Sequence, residues 1–299
     1  MPYLPTTFAL LDEDQSRYET AAAAVLPLPF ERTTSYGKGT IEGPAALLRA
    51  SQAVELYDEE LDAEPAAMGI ATLPPFSPEA HAMDEALAEI RAEARRHSEA
   101  GKFLVSVGGE HSLTSALAFA ARDVHANDEE VGVVQFDAHA DLRDEYEGTP
   151  WSHASVMRRI VEAGMPTLAV GIRSLSAPEA AFLRAEGLPT LWGHELDDPS
   201  LGQRFKRRLE ALPERVYLTF DIDFFDPSLV PATGTPEPGG GTWYPTLRLL
   251  RDLFETKTVV GMDVVELAPI GGQSAPDFLA AKLVYKCLGY WWSKRRTAG

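Results

Sequence analysis

The 299-residue chain reads as an α/β protein, one three-layer α/β/α unit spanning residues 1–299 around a mostly parallel sheet. Two observations predict this. Short aliphatic and β-branched runs at 103–107, 131–136, 167–170, 216–220 and 258–264 alternate with longer stretches of helical periodicity. No composition shift, Ser/Gly linker or internal repeat divides the chain. Strand–helix alternation of this kind lays helices over both faces of a parallel sheet.

Helices are expected at 78–99, 113–122, 154–163, 178–186, 201–211, 245–254 and 275–290. The first carries Ser77 as N-cap and Pro78 at the first helical position. Within it Met83, Leu87, Ile90 and Ala94 recur at helical spacing, while Glu85, Glu89, Arg91, Arg95 and Arg96 occupy the rest of the wheel.

Composition bounds the function. A hydrophobic fraction of 45% and a charged fraction of 24% are ordinary for a globular protein and suggest neither a disordered nor a membrane class. No apolar run approaches the roughly 20 residues of a spanning helix. The start, Met1-Pro2-Tyr3-Leu4-Pro5, lacks a basic segment followed by a hydrophobic block, so the expectation is a cytoplasmic protein without a signal peptide. Cys287 is the single cysteine and falls in an apolar helical pattern, which predicts a buried inert thiol. A formal net charge of −18 argues against nucleic acid and anionic membrane as partners and favours a cationic small molecule.

Three polar clusters open directly out of apolar runs: Gly108-Gly109-Glu110-His111, Asp137-Ala138-His139-Ala140-Asp141 and Asp221-Ile222-Asp223. Carboxylates are rarely placed at the end of a buried strand unless something positive neutralises them. In open α/β sheets ligands bind beyond the carboxyl ends of the strands, so residues distant in sequence converge there. If the chain stays extended, alternation puts Asp137, His139 and Asp141 on one face, and likewise Asp221 and Asp223. Each cluster alone has a bland alternative as a capping turn or a solvated strand end. Together their histidines and aspartates supply two imidazoles and four carboxylates with no thiolate. That set suits Mn²⁺ or a similar ion better than a structural zinc, and suits two ions about 3.5 Å apart better than one.

These motifs carry a resemblance. Gly108-Gly109-Glu110-His111-Ser112, Asp137-Ala138-His139-Ala140-Asp141 and Asp221-Ile222-Asp223-Phe224-Phe225-Asp226-Pro227 resemble, in order, those of the ureohydrolase family that includes arginase and agmatinase. The stretch from Ser35 to Pro44 is similar to the lead-in to that family's first long helix. The resemblance implies an arginase-like fold, two Mn²⁺ per subunit, and hydrolysis of a guanidinium group by a metal-bridging hydroxide. It assigns His111, Asp137, Asp141 and Asp221 to one ion and His139, Asp137, Asp221 and Asp223 to the other. It further implies that Asp141 relays a proton, that Glu266 pairs with the substrate guanidinium, and that His153 shuttles protons or shapes the pocket. At 154 this chain has alanine where the family usually has Ser-His-Gly. A homo-oligomer, trimer or hexamer, is also implied.

Within the family, the segment from Arg143 to Gly148 is acidic and looks like that of agmatinases, which matches a substrate ending in an ammonium. Agmatine, cleaved to urea and putrescine, is therefore the leading substrate. Aminopropylagmatine, arginine and guanidinobutyrate are the alternatives in the same chemistry. Outside it stand a single-zinc deacetylase-like enzyme and a non-catalytic binding protein. The glycine-rich run 233–241 lacks the Lys-Ser/Thr of a phosphate loop and is expected to line the substrate channel. His81, His97 and His125 are expected to face solvent, and His194 to cap a loop. Trp291 and Trp292 fit either a subunit contact or core closure.

Overall fold

The computed structural model describes residues 7–126 and 130–298. Among the described residues eight strands form one sheet: β1 (Ala23–Leu28), β2 (Ile70–Thr72), β3 (Phe103–Gly108), β4 (Val131–Phe136), β5 (Thr167–Ile172), β6 (Thr190–Trp192), β7 (Arg215–Asp221) and β8 (Thr258–Val265). Their order is β2-β1-β3-β8-β7-β4-β5-β6, and every neighbouring pair is parallel. The helices are α1 (Glu13–Ser16), α2 (Gly43–Ser51), α3 (Met83–Glu99), α4 (Thr114–His125), α5 (Val156–Glu162), α6 (Ala177–Glu186), α7 (Leu201–Glu210), α8 (Trp243–Thr256) and α9 (Ala275–Ala298).

The period-2 geometry of the strands sorts their side chains into two cores. Val105, Val107, Phe136, Leu218, Phe220 and Met262 face a layer that includes α2, α7, α8 and α9. Leu26, Leu104, Val133 and Tyr217 face the opposite layer, with α3, α4 and α5. The three-layer architecture is as the sequence predicts, and the five expected strands are present. Three strands were not foreseen. β1 opens on two alanines and holds Pro27 inside it, and β2 and β6 have three residues each, too short for a period to register.

The first long helix also departs from expectation. It begins at Met83 rather than 78, and Ser77 does not cap it. The preceding segment runs extended instead, with Leu73 N–H donating to Val25 O and Phe76 N–H to Pro27 O, both at 2.9 Å. Glu89 then accepts from Glu79 N at 2.7 Å and Ala80 N at 3.1 Å, which folds the approach back onto the helix.

The functional consequence lies in the strand order. β3 and β4 follow one another in sequence but are separated in the sheet by β8 and β7. This reversal is the switch point at which α/β sheets open a crevice at their carboxyl edge. The segments that follow β3, β8, β7 and β4 are the ones bearing His111, Glu266, Asp223 and Asp137.

Candidate metal centre and cavity

Each cluster leaves its strand by a different turn. After β3, Gly109 passes so close to the 28–30 segment that a Cβ would lie 2.0 Å from Phe30 O, so only glycine fits. Gly109 N–H donates to Leu28 O at 3.0 Å, and Glu266 N–H donates to Gly109 O at 2.7 Å. This stitches the ends of β1, β3 and β8 together and sets His111 beside Glu266, whose Oε1 accepts from His111 N at 2.6 Å. Glu266 itself has φ +64° and Asp141 φ +51°. Such left-handed backbone is costly for residues with side chains and clusters at functional sites.

The expectation that 137–141 and 221–223 stay extended holds only in part. β7 ends at Asp221, and Ile222–Phe224 form a 3₁₀ turn in which Asp221 Oδ1 accepts from Asp223 N at 2.8 Å. Turn geometry, rather than strand alternation, brings these carboxylates together. After β4, Asp137 Oδ1 accepts from His139 N at 2.5 Å, Gln135 Nε2 donates to Asp137 Oδ2 at 2.8 Å, and Ala138 N donates to Asp223 Oδ1 at 3.0 Å.

Two ligand groups result, His111 with Asp137 and Asp141, and Asp137 with His139 and Asp223; within each, the candidate ligand atoms lie within 4.8 Å of one another. Asp137 is common to both. His111 Nδ1 lies 2.9 Å from Asp141 Oδ2, 3.2 Å from Asp137 Oδ2 and 3.4 Å from Asp221 Oδ2. His139 Nδ1 lies 2.8 Å from Asp223 Oδ2 and 3.8 Å from Asp137 Oδ1. The four aspartates are buried.

The hydrogen bonds beneath His111 test whether a cation fits. Tyr217 OH and Thr114 Oγ1 donate to Asp263 Oδ2 at 2.9 and 3.0 Å, and Thr219 Oγ1 donates to Asp263 Oδ1 at 2.7 Å. With its one proton committed, Thr219 Oγ1 accepts from His111 Nε2, 2.9 Å away. In the neutral ring Nδ1 therefore keeps its lone pair; it is buried and has no hydrogen-bond partner among the described residues. A lone pair facing three carboxylate oxygens is repulsive unless positive charge sits among them, so the donor set fits a metal ion.

Proton affinities tell the same story. Burial, then Asp141 and Asp223, push the Asp137 carboxyl up to about 7, and burial with Asp223 and Asp137 pushes Asp221 well above its usual range. Burial opposes protonation of His139, but Asp223 outweighs it and the imidazole rises to about 10. For His111 burial is likewise outweighed by Asp137 and Asp141, and its pKa is raised. Burial raises Glu266 to about 8 against the opposing His111 N–H bond. The cluster attracts positive charge, proton or metal.

A cavity of about 270 Å³ opens above this cluster. His111, His139, Asp141, Asp221, Asp223 and Glu266 line its floor, and His153 lines it as well. Ala154, the departure from Ser-His-Gly, lies in a 3₁₀ turn (His153–Ser155) that alanine adopts without strain. The glycine-rich run lines the cavity through Gly234, Thr235 and Glu237, as expected. The acidic 143–148 segment does not present its acids. It contributes Arg143 and Tyr146, while Asp144 pairs with Arg159 at 3.0 Å.

Several contacts around the cavity were not foreseen. Glu237 accepts at Oε1 from Ser174 Oγ at 2.9 Å. Arg173 Nη2 donates to Asp223 O at 2.7 Å and Glu237 O at 2.8 Å, tying the glycine-rich strap to the ligand turn. Asp226 steadies the same strap, accepting from Ser228 N and Gly239 N at 2.9 Å. Asp263 carried a legible signal, an acid inside the apolar run of β8. His97, expected to face solvent, is instead buried, with Tyr18 OH 2.8 Å from Nδ1 and Glu93 Oε1 3.1 Å from Nε2. His194 is exposed, His125 is half-buried, and Trp291 stacks on Phe103 at 4.5 Å.

The arginase family model matches residues 21–289. An N(1)-aminopropylagmatine ureohydrolase from Synechocystis sp. is 42% identical over 293 residues, covering 96% of this chain and 94% of the relative. An agmatinase from Pyrococcus horikoshii is 34% identical over 271 residues, covering 89% and 90%. The crystal structure of agmatine ureohydrolase of Thermoplasma volcanium superimposes with a TM-score of 0.84 at 26% identity, covering 97% and 98%. A chain with this fold and these relatives belongs to the arginase family and is a ureohydrolase of agmatinase-like type.

Proposed function

We propose that the protein hydrolyses the guanidinium group of a cationic alkylguanidine, N(1)-aminopropylagmatine or agmatine, to urea and the corresponding polyamine. The observation that carries this reading is a buried, cation-attracting His/Asp cluster lining a cavity that Glu266 and Glu237 also line. His111, Asp137, Asp141 and Asp221 would hold one Mn²⁺, and His139, Asp137, Asp221 and Asp223 the other. Two such ions lower the pKa of water toward about 7 and so supply a nucleophile at neutral pH.

The chain's own residues supply the rest. Glu266 accepts from the planar N–H fork of the guanidinium, and the arriving cation favours its ionised form despite burial. The water oxygen becomes the urea carbonyl, the bond from carbon to the alkyl nitrogen breaks, and both water protons end on the departing ammonium. Asp141 and His153 carry those protons. Glu237, held by Ser174, sits where a cationic tail leaves the cavity floor. Assembly as trimers or hexamers and a cytoplasmic location belong to the same proposal; among the described residues no helix is long and apolar enough to cross a membrane.

The identity of 42% to an aminopropylagmatine ureohydrolase, against 34% to an agmatinase, supports the longer substrate over the shorter one. Urea release by the Mn²⁺-loaded protein over a guanidino panel tests the assignment. Aminopropylagmatine and agmatine should be cleaved far faster than arginine or guanidinobutyrate. A wide margin for either carboxylate-bearing compound would overturn the substrate, and one zinc per chain with deacylating activity would overturn the reaction.

A further inference from the structure

Glu110 lies one residue before a candidate ligand, is fully buried, and takes no place in the ligand groups. Its carboxylate is saturated by four donors. Oε2 accepts from Arg32 N and Thr33 N, each at 2.6 Å, and Oε1 accepts from Thr33 Oγ1 at 2.8 Å and Ser112 Oγ at 2.5 Å. A carboxylate so surrounded is an acceptor only, so the single proton of Thr33 Oγ1 is committed to it.

That commitment reaches His153. Thr33 Oγ1 lies 3.0 Å from His153 N and 3.2 Å from His153 Nδ1. With its proton spent, the hydroxyl meets both as an acceptor, one lone pair for each. The backbone N–H is a donor by nature, and Nδ1 must then be one too. Nε2 is left with the lone pair, on a ring that lines the cavity. Tyr146 fixes the ring further, packing edge-on at 5.6 Å with an interplanar angle of 87°.

We propose that Thr33 and Glu110 are positioning residues that lock His153 in the Nδ1–H tautomer and reserve Nε2 for proton exchange. The arrangement serves both states of the ring. Nδ1 is a donor whether or not Nε2 is protonated, so a proton can come and go at Nε2 while the bond to Thr33 stays in place. This inference rests on the hydrolase reading above, in which His153 carries protons.

The test is Thr33→Val, which keeps the side-chain shape and the backbone N–H to Glu110 and removes only the hydroxyl. In the Mn²⁺-loaded enzyme, kcat for the best guanidino substrate should fall on the order of 10- to 100-fold, with KM and metal content unchanged. Thr33→Ser should restore most of the rate. In a His153→Gln background the same Thr33→Val change should cost nothing more, because the group it serves is already gone. An equal loss in both backgrounds would overturn the proposal, and so would a wild-type kcat in Thr33→Val. A crystal structure of Thr33→Val reads the same point without turnover: the His153 ring should turn or split between rotamers while 108–112 and 137–141 stay put. A ring in its original pose would overturn the positioning role. If no guanidino compound is cleaved, the hydrolase reading fails by itself, and the ring pose still judges the lock.

Discussion

Thr219 Oγ1 stands between His111 and Asp263, accepting from His111 Nε2 at 2.9 Å and donating to Asp263 Oδ1 at 2.7 Å. The direction of those two bonds decides which imidazole nitrogen is free to bind a cation. Metal-ligating imidazoles commonly use the second nitrogen in this way, and loss of the partner typically costs about 10- to 100-fold in metal affinity. Thr219→Val should therefore weaken metal binding by roughly that factor while the fold persists. Titration of the apoprotein with Mn²⁺ checks this; unchanged affinity would show that the hydroxyl does not set the tautomer.

Asp223 contacts the other imidazole. Its Oδ2 lies 2.8 Å from His139 Nδ1 and its Oδ1 accepts from Ala138 N at 3.0 Å. Asp223→Asn keeps the size of the side chain but removes the charge, and places an amide in a buried site shaped for an anion. We expect loss of at least one metal per chain and of most urea release. Elemental analysis after gel filtration provides the readout, and full activity with both ions retained would show the ligand assignment to be wrong.

The sequence made the four site-bearing strands and their polar ends legible because burial on both faces forces continuous apolar runs, against which Asp137 and Asp223 stand out. It did not reveal β1, where Ala23 and Ala24 carry no strand preference and Pro27 argues against one, although that strand's exit supplies the Phe30 carbonyl that fixes Gly109. Nor could it show that Asp221 and Asp223 meet through a 3₁₀ turn, since the spacing is compatible with either geometry. Glu237 and Ser174 lie 63 residues apart and meet only once β5 and the strap after β7 are in place. Glu237 belongs to the run expected to line the channel, but the polarity of Ser174 fits an exposed loop as well as a cavity wall, so nothing local marks it as the partner. The acidic 143–148 segment misled for the opposite reason: composition reports charge, while Asp144 spends its own on Arg159.

Glu237 gives the cavity a carboxylate that does not belong to the ligand groups. Being half-buried, it should be worth about 1 kcal/mol or less to a cationic tail, and should be screened by salt. Glu237→Gln is expected to raise KM for agmatine or aminopropylagmatine by roughly 5-fold at low ionic strength, by less at high salt, with kcat little changed. Steady-state kinetics at two salt concentrations separate the terms. A fall in kcat with KM unmoved would place Glu237 in the chemical step instead.

His97 offers a pH-dependent stability term remote from the cavity. Burial, which disfavours the charged imidazole, lowers its pKa below the ordinary 6.5, although Glu93 pulls the other way. In the unfolded chain His97 takes up a proton as pH falls through about 6.5, whereas in the folded chain it does so only at lower pH. The unfolded state thus binds more protons in that interval, and the stability contributed above 6.5 drains away as pH drops toward the folded value. His97→Gln removes the titration while leaving an amide within reach of Tyr18 and Glu93. Between pH 7.5 and 5.5 the melting temperature of the wild type should fall more steeply than that of the variant. Parallel pH profiles for the two proteins would mean that His97 titrates alike in both states and that its burial carries no such cost.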